Sequence, residues 1–331
     1  MGITLPKKIL TTTDWEVYGM DIRLDRLHTL INHKRMHFQQ GDITIDKTWI
    51  EEHIQLCDVV IPLVAIATPS SYVKQPLRVF ELDFEANLPI ISWTAQYKKH
   101  LIFPSSSEVY GLCEDEEFDT IHSNFVYGAI HKTRWIYACS KQLLDRVIWG
   151  YGMEGLQFTL FRPFNWIGVG LDSIHTTEEG SSRVLSQFFG HILRGETITL
   201  VDGGNQKRTF TYIHDGIAAL MHMIENKHGI ANGKIYNIGN PANNYSIREL
   251  AKMMIVTAIN YPEYQENAQK VQFTDANAES YYGEGYQDMQ NRIPKILNTC
   301  QELGWQPTIS LEASLKFIFE EYRCEIGVQV V

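Results

Sequence analysis

A tyrosine and a lysine four positions apart, Tyr137 and Lys141, carry the most specific chemistry in this chain. If residues 136–150 form a helix, the two side chains share a face, and the ammonium can lower the pKa of the phenol toward neutrality. Such a phenolate can take the proton of a sugar hydroxyl while hydride leaves the same carbon for a nicotinamide. The pair alone is weak evidence, because about one match is expected by chance. A pair on a helix surface is the alternative.

A serine-rich turn strengthens this interpretation. Residues 105–110 read Ser-Ser-Ser-Glu-Val-Tyr and follow an apolar run that predicts a strand. Ligands of doubly wound sheets bind at the carboxyl ends of the strands, so a hydroxyl here can reach the reacting oxygen beside Tyr137. A serine-rich turn after a strand is ordinary by itself, but its combination with the tyrosine and the lysine is not.

The elements that must position these residues alternate along the first half of the chain. Apolar runs predict strands at 15–21, 36–42, 58–64, 99–104 and 156–163, and periodic segments predict helices at 48–55, 78–95 and 136–150. Pro89 is expected to kink or break the second helix. Nearly continuous apolar strands separated by helices indicate a parallel sheet covered on both faces. The predicted fold class is therefore α/β, with a doubly wound, Rossmann-like sheet.

The second half of the chain has a looser pattern. A capping box at Ser246 and Glu249 predicts a helix, and the polar segment 261–286 is expected to be a loop. A last helix after residue 311 is expected to pack on the body through Leu315, Phe317, Ile318 and Phe319. Because no linker separates the halves, we predict a dinucleotide-binding domain at 1–165 and a smaller substrate domain at 166–331, interleaved with the first.

The start of the chain departs from the pattern of a dinucleotide-binding sheet. Such a sheet opens with a strand, a glycine-rich turn and a helix whose N-terminus faces the pyrophosphate. Asp21 ends a strand 19 residues after Gly2, about the spacing from that turn to the acid that binds the ribose. The simplest interpretation is that Gly2 is the last glycine of an incomplete turn and that the sheet lacks its first strand. A truncated or misplaced start, or a degraded gene, would produce such a chain. A glycine without this role is the alternative.

The helix after Gly2 should then be amphipathic. Its buried face is expected to consist of Ile3, Leu5, Ile9 and Leu10. Pro6 would be tolerated in the first turns of that helix.

Composition limits the classes of protein to which the chain can belong. Its 331 residues are 44% hydrophobic and carry a net charge of −10, so we expect a globular protein that binds no nucleic acid. No apolar run reaches the roughly 18 residues of a membrane span, and we expect a cytoplasmic protein without membrane insertion. The five cysteines have neither disulfide nor metal spacing and are expected to be buried thiols. The 12 histidines form no ligand-like cluster, so no metal is expected.

Further motifs, taken with these, resemble those of the extended short-chain dehydrogenase/reductase family. They are Gly41-Asp42-Ile43, Arg162-Pro163-Phe164-Asn165 and Arg208-x-Phe-x-Tyr212-x-x-Asp215. A closer similarity, to the UDP-glucuronic acid decarboxylases of bifunctional polymyxin-resistance enzymes, covers nearly the whole chain and rests on residues 63–69, 134–137, 141–149 and 281–288. The resemblance implies NAD as cofactor and UDP-glucuronic acid as substrate. Oxidation at C4 and loss of CO2 would give a UDP-4-keto-pentose of the kind used to modify lipid A.

The resemblance also implies catalytic residues. These are Tyr137, Lys141, Ser107, Glu108 and Arg292. The tyrosine would be the base and the lysine the cation that lowers its pKa. Because a guanidinium has a pKa above roughly 12, we favour Arg292 as an electrostatic partner for the carboxylate and the enolate. Proton delivery by Arg292 is the second possibility, and a surface arginine in a polar loop is the alternative without the resemblance.

Ligand-binding positions follow from the same resemblance. NAD would be bound by Gly2, Asp21, Asp42 and Ile43, together with Tyr137 and Lys141. The UDP-sugar would be bound by Ala67, Tyr72, Ser106, Ser107, Arg134, Asn165, Thr199, Asp202, Gly203, Gly204, Gln206, Arg208 and Tyr286. Thr199 stands where the family commonly has a lysine, which could weaken binding by ~1 kcal/mol. Without a binding role, residues 202–204 would form an ordinary turn and Asp42 would cap a helix.

Several hypotheses stay open at this point. Release of NADH would leave the 4-keto-pentose, whereas retained NADH could reduce it to UDP-xylose. A truncated, non-catalytic paralogue that binds UDP-sugar is another possibility. A generic epimerase fits less well, because Glu108 and the loop with Tyr286 and Arg292 suit carboxylate chemistry. The relatives' formyltransferase domain has no counterpart here, so no formylation is expected, and a homo-oligomer is expected by analogy.

Overall fold

Parallel strands form the centre of the molecule. The computed structural model describes residues 1–24, 27, 29–178, 180 and 182–329, with side chains as far as residue 324. Its strands are β1 Val17–Asp21, β2 Met36–Gln40, β3 Val59–Val60, β4 His100–Pro104, β5 Phe158–Pro163, β6 Trp166–Ile167, β7 Ile198–Val201, β8 Lys207–Thr209, β9 Thr211–Tyr212, β10 Lys234–Ile238, β11 Asn244–Ser246 and β12 Phe273–Ala276. β10, β5, β4 and β3 form one parallel sheet in that order, and β1 pairs with β2 in another. The α/β, Rossmann-like prediction is confirmed.

A gap separates β1 from β3. Among the described residues no strand pairs with both, and a cavity of about 700 Å³ lies between them. Its wall includes Tyr18 and Met20 from the β1 side and Val59 and Val60 from the β3 side. This arrangement matches the predicted sheet without a first strand. β3 is shorter than the predicted 58–64, because the chain leaves the sheet after Val60 as an irregular segment at 61–68.

Helices cover the sheets. They are α1 Thr4–Thr12, α2 Lys47–Leu56, α3 Pro69–Lys74, α4 Pro76–Phe80, α5 Asn87–Gln96, α6 Ile136–Met153, α7 Val184–Arg194, α8 Ile213–Glu225, α9 Ile247–Ile259, α10 Pro262–Lys270, α11 Ala278–Tyr282, α12 Leu297–Leu303 and α13 Leu311–Gln329. Within the described part of the chain none is long and apolar enough to cross a bilayer. In α1, Leu5, Ile9 and Leu10 are buried as predicted, and Ile3 is half-buried.

The helical run from α4 to α5 contains a π-helical segment, Glu81–Glu85. The expected interruption therefore lies one turn before Pro89. Proline lacks the N–H that would bond to the carbonyl of Glu85. A 2.9 Å hydrogen bond from the Ala86 N–H to the Glu81 carbonyl closes the widened turn, which ends at Glu85. Asp83 lies in this segment and is fully buried.

The second half of the chain corrects one prediction and confirms another. Residues 261–286, expected to be a loop, contain α10, β12 and α11. Pro262 occupies the first turn of α10, which buries Tyr264 and Ala268, and β12 pairs with the distant β7. The capping box that opens α9 is present. β10 lies beyond residue 165 yet joins β5, so the halves interleave, while the boundary at 165 stays a prediction.

Two expectations about burial need correction. Phe317 is 50% exposed and lies beside the buried stripe of Leu315, Ile318 and Phe319 on α13, although its ring still contacts that of Tyr212 with centroids 5.6 Å apart. The cysteines are free but not buried: Cys57, Cys113, Cys139 and Cys300 are half-buried and Cys324 is exposed. Cys139, Cys300 and Cys324 lie on α6, α12 and α13, and Cys57 follows α2.

A buried ion pair holds α6 against the sheet. Asp145 of α6 lies 3.2 Å from Arg162 of β5 and accepts a 2.8 Å hydrogen bond from the Ser105 hydroxyl at the end of β4. Arg162 also donates to the Tyr110 hydroxyl at 2.9 Å. Because a buried carboxylate and guanidinium stay paired only in good geometry, this network fixes the height and rotation of α6. It therefore positions Tyr137 and Lys141.

Candidate active site

One cleft collects many of the residues predicted to bind substrate. It measures about 1060 Å³ including its open mouth. From the predicted set it is lined by Glu108, Arg134, Asn165, Thr199, Gln206, Arg208, Tyr286 and Arg292. Glu108 and Asn165 follow β4 and β5 at the carboxyl ends of the parallel sheet, where ligands of such sheets bind. Thr199 and Arg208 lie in β7 and β8, and the other residues come from turns and loops.

A carboxylate held between two guanidinium groups forms the floor of the cleft. Glu108 lies in the 3₁₀ turn after β4, and its Oε2 is 2.7 Å from Nη1 of Arg134. Its Oε1 is 2.8 Å from Nη2 of Arg292, whose Nη1 also donates to the Ser107 hydroxyl at 3.1 Å. Burial would raise the pKa of Glu108, but the charges of Arg134 and Arg292 lower it to about 2. Glu108 is therefore ionised at neutral pH and is no proton donor.

Further arginines give the cleft an excess of positive charge. Arg208 pairs with Asp288 at 2.5 Å, and Arg183 pairs with Asp172 at 2.7 Å. The lining thus contains four arginines and three carboxylates, a net charge of plus one. Because these groups are partly or fully removed from water, the excess charge favours an anionic ligand.

Tyr137 lies beside this cleft in the first turn of α6. Its ring stacks on that of Tyr72, with centroids 4.7 Å apart and planes 6° from parallel. Burial raises the pKa of Tyr137 above the usual range of phenols, and the charge of Asp83 adds to this effect. The hydrogen bond with Ser106 acts in the opposite direction. Tyr137 is therefore a neutral phenol in this arrangement.

Lys141 is buried one turn farther along α6, yet the pKa of the Tyr137 phenol is raised rather than lowered. Its ammonium donates to the carbonyl of Pro104 at 3.0 Å and lies 4.8 Å from the centre of the Phe103 ring. The predicted lowering of the pKa of Tyr137 is wrong for this arrangement, because burial of the phenol outweighs it. Burial also lowers the pKa of Lys141, and the charges of Asp83 and Asp145 oppose that shift.

Some residues predicted to bind sugar lie elsewhere. Ala67 is exposed in the irregular segment 61–68 and is not part of the cleft wall. The 3₁₀ turn Asp202–Gly204 follows β7, with φ of 73° at Gly203 and 66° at Gly204, and Asp202 accepts a 3.1 Å hydrogen bond from the N–H of Ala278. The turn therefore has a structural task, and its contact with substrate stays a prediction.

Of the residues predicted to bind NAD, Asp21, Asp42 and Ile43 lie at the carboxyl ends of β1 and β2. The carbonyl of Asp21 accepts a 3.1 Å hydrogen bond from the N–H of Gly41, and the Asp21 side chain is exposed. Asp42 bonds instead to the N–H and hydroxyl of Thr44, at 2.8 and 2.7 Å, in a turn before α2. Ile43 lines the cavity between β1 and β3, and Gly2 is exposed just before α1. An exposed carboxylate at a strand end suits the hydroxyls of a ribose.

Two charged groups near the site were not found from the sequence. Arg183 has no periodic or motif context, since it precedes α7 in a loop. Asp83 could have been noticed, because it stands four residues from Val79 and from Asn87 on one buried helical stripe. An acid inside an apolar stripe is unusual and indicates a buried partner.

Comparisons with known proteins place the chain in one family. Residues 3–239 match the model of the NAD dependent epimerase/dehydratase family. The crystal structure of the PbgP3 protein from Burkholderia pseudomallei is similar, with 62% sequence identity and a TM-score of 0.89, covering 98% of this chain and 93% of that one. UDP-glucose 4-epimerase from Thermotoga maritima, solved with UDP-glucose, has 19% identity and a TM-score of 0.79, covering 97% and 95%. UDP-glucuronic acid 4-epimerase from Bacillus cereus, solved with UDP-glucuronic acid and NAD, has 18% identity and a TM-score of 0.77, covering 97% and 95%. The two epimerases share the fold.

Replacing Glu108 by glutamine should destabilise the protein by about 3 kcal/mol at pH 7, because two buried guanidinium groups lose their counter-charge. Because the folded-state pKa of about 2 is below the roughly 4.3 of a free glutamate, this stabilisation is complete above about pH 5 and is lost as the pH falls toward 2. Urea unfolding should therefore show a difference between the proteins that is about 1 kcal/mol smaller at pH 3.5 than at pH 7. The exposed Glu116→Gln variant is the control. A difference that does not vary with pH would contradict the assigned ion cluster.

Proposed function

The chain belongs to the NAD-dependent epimerase/dehydratase family, and on that premise we propose that it oxidises and decarboxylates UDP-glucuronic acid. The product would be a UDP-4-keto-pentose, as for the decarboxylase half of the bifunctional polymyxin-resistance enzyme ArnA, which serves lipid A modification. Members of the family act on nucleotide sugars with NAD, and the specific substrate and the loss of CO2 are the proposal.

The observation that carries the proposal is the arginine-rich floor of the cleft. UDP-glucuronic acid brings a diphosphate and a sugar carboxylate, whereas a neutral hexose lacks the latter. Arg292 is buried beside the Ser106 and Ser107 turn and shares Glu108 with Arg134. A second carboxylate could be accepted there, since two guanidinium groups face one acid. Arg208 and Arg183, farther along the cleft wall, suit the diphosphate.

The residues at the carboxyl ends of β1 and β2 fit the adenosine part of NAD. Asp21 would accept hydrogen bonds from the ribose hydroxyls and repel the extra phosphate of NADP. Asp42 and Ile43 would lie at the adenine edge, and Gly2 would let the cofactor approach the first turn of α1. When bound, NAD supplies the hydride acceptor that oxidation at C4 requires.

The chemistry assigns one task to each buried group. Tyr137 must first lose its own proton, and as the phenolate it takes the proton of the C4 hydroxyl while the C4 hydride departs. Ser106 and Ser107 orient the C4 oxygen. The ammonium of Lys141, which shares a face of α6 with Tyr137, stabilises that phenolate. The new C4 ketone lies β to the carboxylate, so the electrons of the breaking C5–C6 bond enter the ketone as CO2 leaves. Arg292 stabilises the resulting enolate, and a proton from solvent then takes the place of CO2 on C5.

Replacing Tyr137 by phenylalanine should reduce turnover of UDP-glucuronic acid by at least about 100-fold, because the base is lost. Affinity for UDP-glucuronic acid should change little, since the arginines that bind the anion are untouched. Absorbance at the nicotinamide band, released CO2 and calorimetric binding measure these effects. Tyr151→Phe, on the same helix, is the control. Persistent turnover would show that Tyr137 is not the base.

Product analysis in the same assay separates the competing activities. A UDP-4-keto-pentose with free NADH supports the proposal. UDP-xylose would instead indicate a decarboxylase that retains NADH and reduces the ketone. A C4 epimer formed without CO2 would indicate an epimerase. UDP binding by the wild-type protein without turnover would favour the non-catalytic paralogue.

Replacing Arg292 by methionine should slow decarboxylation by about 100-fold, because the developing enolate loses its buried cation. The variant should also lose the preference of the cleft for UDP-glucuronic acid over UDP-glucose, which titration calorimetry with both ligands measures. Arg146→Met, an exposed arginine of α6, is the control. An unchanged preference would mean that Arg292 does not face the sugar carboxylate.

A homo-oligomer is proposed from the exposed apolar side chains of α4 and α6, helices that contact each other. They are Leu77, Leu143, Trp149 and Met153. A second copy of the same helix pair would cover them.

Sedimentation equilibrium should accordingly give a multiple of 38.1 kDa for the wild-type protein. Leu143→Glu should shift the distribution toward the monomer, because the charge would be buried in the interface. Val256→Glu, which also replaces an exposed apolar residue but on α9, should have no effect. A monomeric wild-type protein would contradict the proposal.

A further inference from the structure

A buried carboxylate outside the predicted site lies on the π-helical segment that contacts α6, the helix of Tyr137 and Lys141. Asp83 is 0% exposed, and its Oδ1 accepts a 2.7 Å hydrogen bond from the N–H of Ile66. Its Oδ2 is buried and has no hydrogen-bond partner within the described residues. An ionised oxygen left in this state is costly unless a positive charge lies nearby.

The π-helical segment places the side chain of Asp83 in the protein interior. Val79, Asp83 and Asn87 are all fully buried on one stripe of the run from α4 to α5. The Asn87 amide donates to the carbonyls of Leu82 and Asp83, at 3.0 and 3.3 Å, and so fastens the widened turn. π-Turns are rare and concentrate at functional sites.

The segment Glu81–Glu85 contacts α6, and the cation buried on α6 is Lys141. Burial raises the pKa of Asp83 to about 6, while Lys141 and the Ile66 N–H oppose that shift. The charge of Asp83 also raises the pKa of two phenols, those of Tyr137 on α6 and Tyr72 on α3. At neutral pH Asp83 is thus mainly ionised and faces one ammonium and two neutral phenols.

Asp145 is the other carboxylate near Lys141, but it is already compensated. It pairs with Arg162 and accepts the Ser105 hydroxyl. Within the described residues, Asp83 accepts no hydrogen bond from an arginine. The charge balance of the buried ammonium therefore depends mainly on Asp83.

We propose that Asp83 is a positioning residue of this site: its carboxylate is the buried counter-charge of Lys141 and also anchors the segment 61–68 through Ile66. The catalytic meaning of this role rests on the proposed function, whereas the charge coupling does not. Ile66 packs against the cluster of Tyr72 and Tyr137, so one side chain ties the loop to the helix that carries the base.

The coupling can be measured without turnover. Asp83→Asn keeps an oxygen for the Ile66 N–H but removes the charge. In protein labelled with ¹³C at the lysine ε-carbon, with Lys141 assigned through Lys141→Met, the titration midpoint of Lys141 should fall by about one unit or more. Glu85→Gln, an exposed acid on the same π-turn, should leave that midpoint in place. A shift below about 0.3 unit in folded Asp83→Asn, as judged by circular dichroism, would overturn the proposal.

A reciprocal measurement covers the case in which Asp83→Asn does not fold. By linkage, removal of the ammonium in Lys141→Met should raise the titration midpoint of Asp83, followed by ¹³C at its carboxyl carbon, by about the same amount. An unchanged Asp83 midpoint would refute the coupling.

The pH profile of kcat gives a third readout. Removal of the negative charge favours both phenolate and neutral lysine, so both limbs should move to lower pH, whereas a merely structural defect would lower kcat at every pH without moving them. Absence of any wild-type turnover would contradict the proposed function but leave the lysine titration intact.

Discussion

The carboxylate of Glu108, held between the guanidinium groups of Arg134 and Arg292, is the contact on which the rest of the site depends. Three charges are taken out of water together, and such a cluster is tolerable only when its geometry satisfies each member. The turn after β4, the turn before α6 and the loop before α12 each supply one of these residues. The same ion pairs therefore form the floor of the cleft and contribute to its excess of positive charge.

Helix α6 is positioned by a second set of buried charges. Asp145 is tied to Arg162 and Ser105, while Lys141, one turn away, has Asp83 as its remaining counter-charge. Spacing of four residues along one helix places these groups on a common face. Charge compensation inside the protein thus links the sheet, the π-turn and the helix that carries Tyr137. The position of α6 therefore depends on more groups than the tyrosine and the lysine themselves.

Electrostatics at Tyr137 shows how burial competes with a nearby cation. The helical spacing indicated that Lys141 would make the phenol acidic, but the phenol is buried and its pKa rises. The ammonium instead donates to the carbonyl of Pro104. Spacing fixes which side chains share a face, whereas desolvation depends on everything packed around them.

Local patterns in the chain were sufficient for the alternation of strands and helices, the capping box at Ser246, and the turn and helix that carry Ser107, Glu108 and Tyr137. Apolar periodicity and cap chemistry act within a few residues, so they can be read from the chain alone. The short β12 escaped detection because its hydrogen bonds come from the distant β7. Likewise, Arg183 and Asp83 acquired their partners, and the phenol its raised pKa, only when distant segments packed together. Pairing across the fold and removal from water are properties of the assembled structure, and no local pattern encodes them.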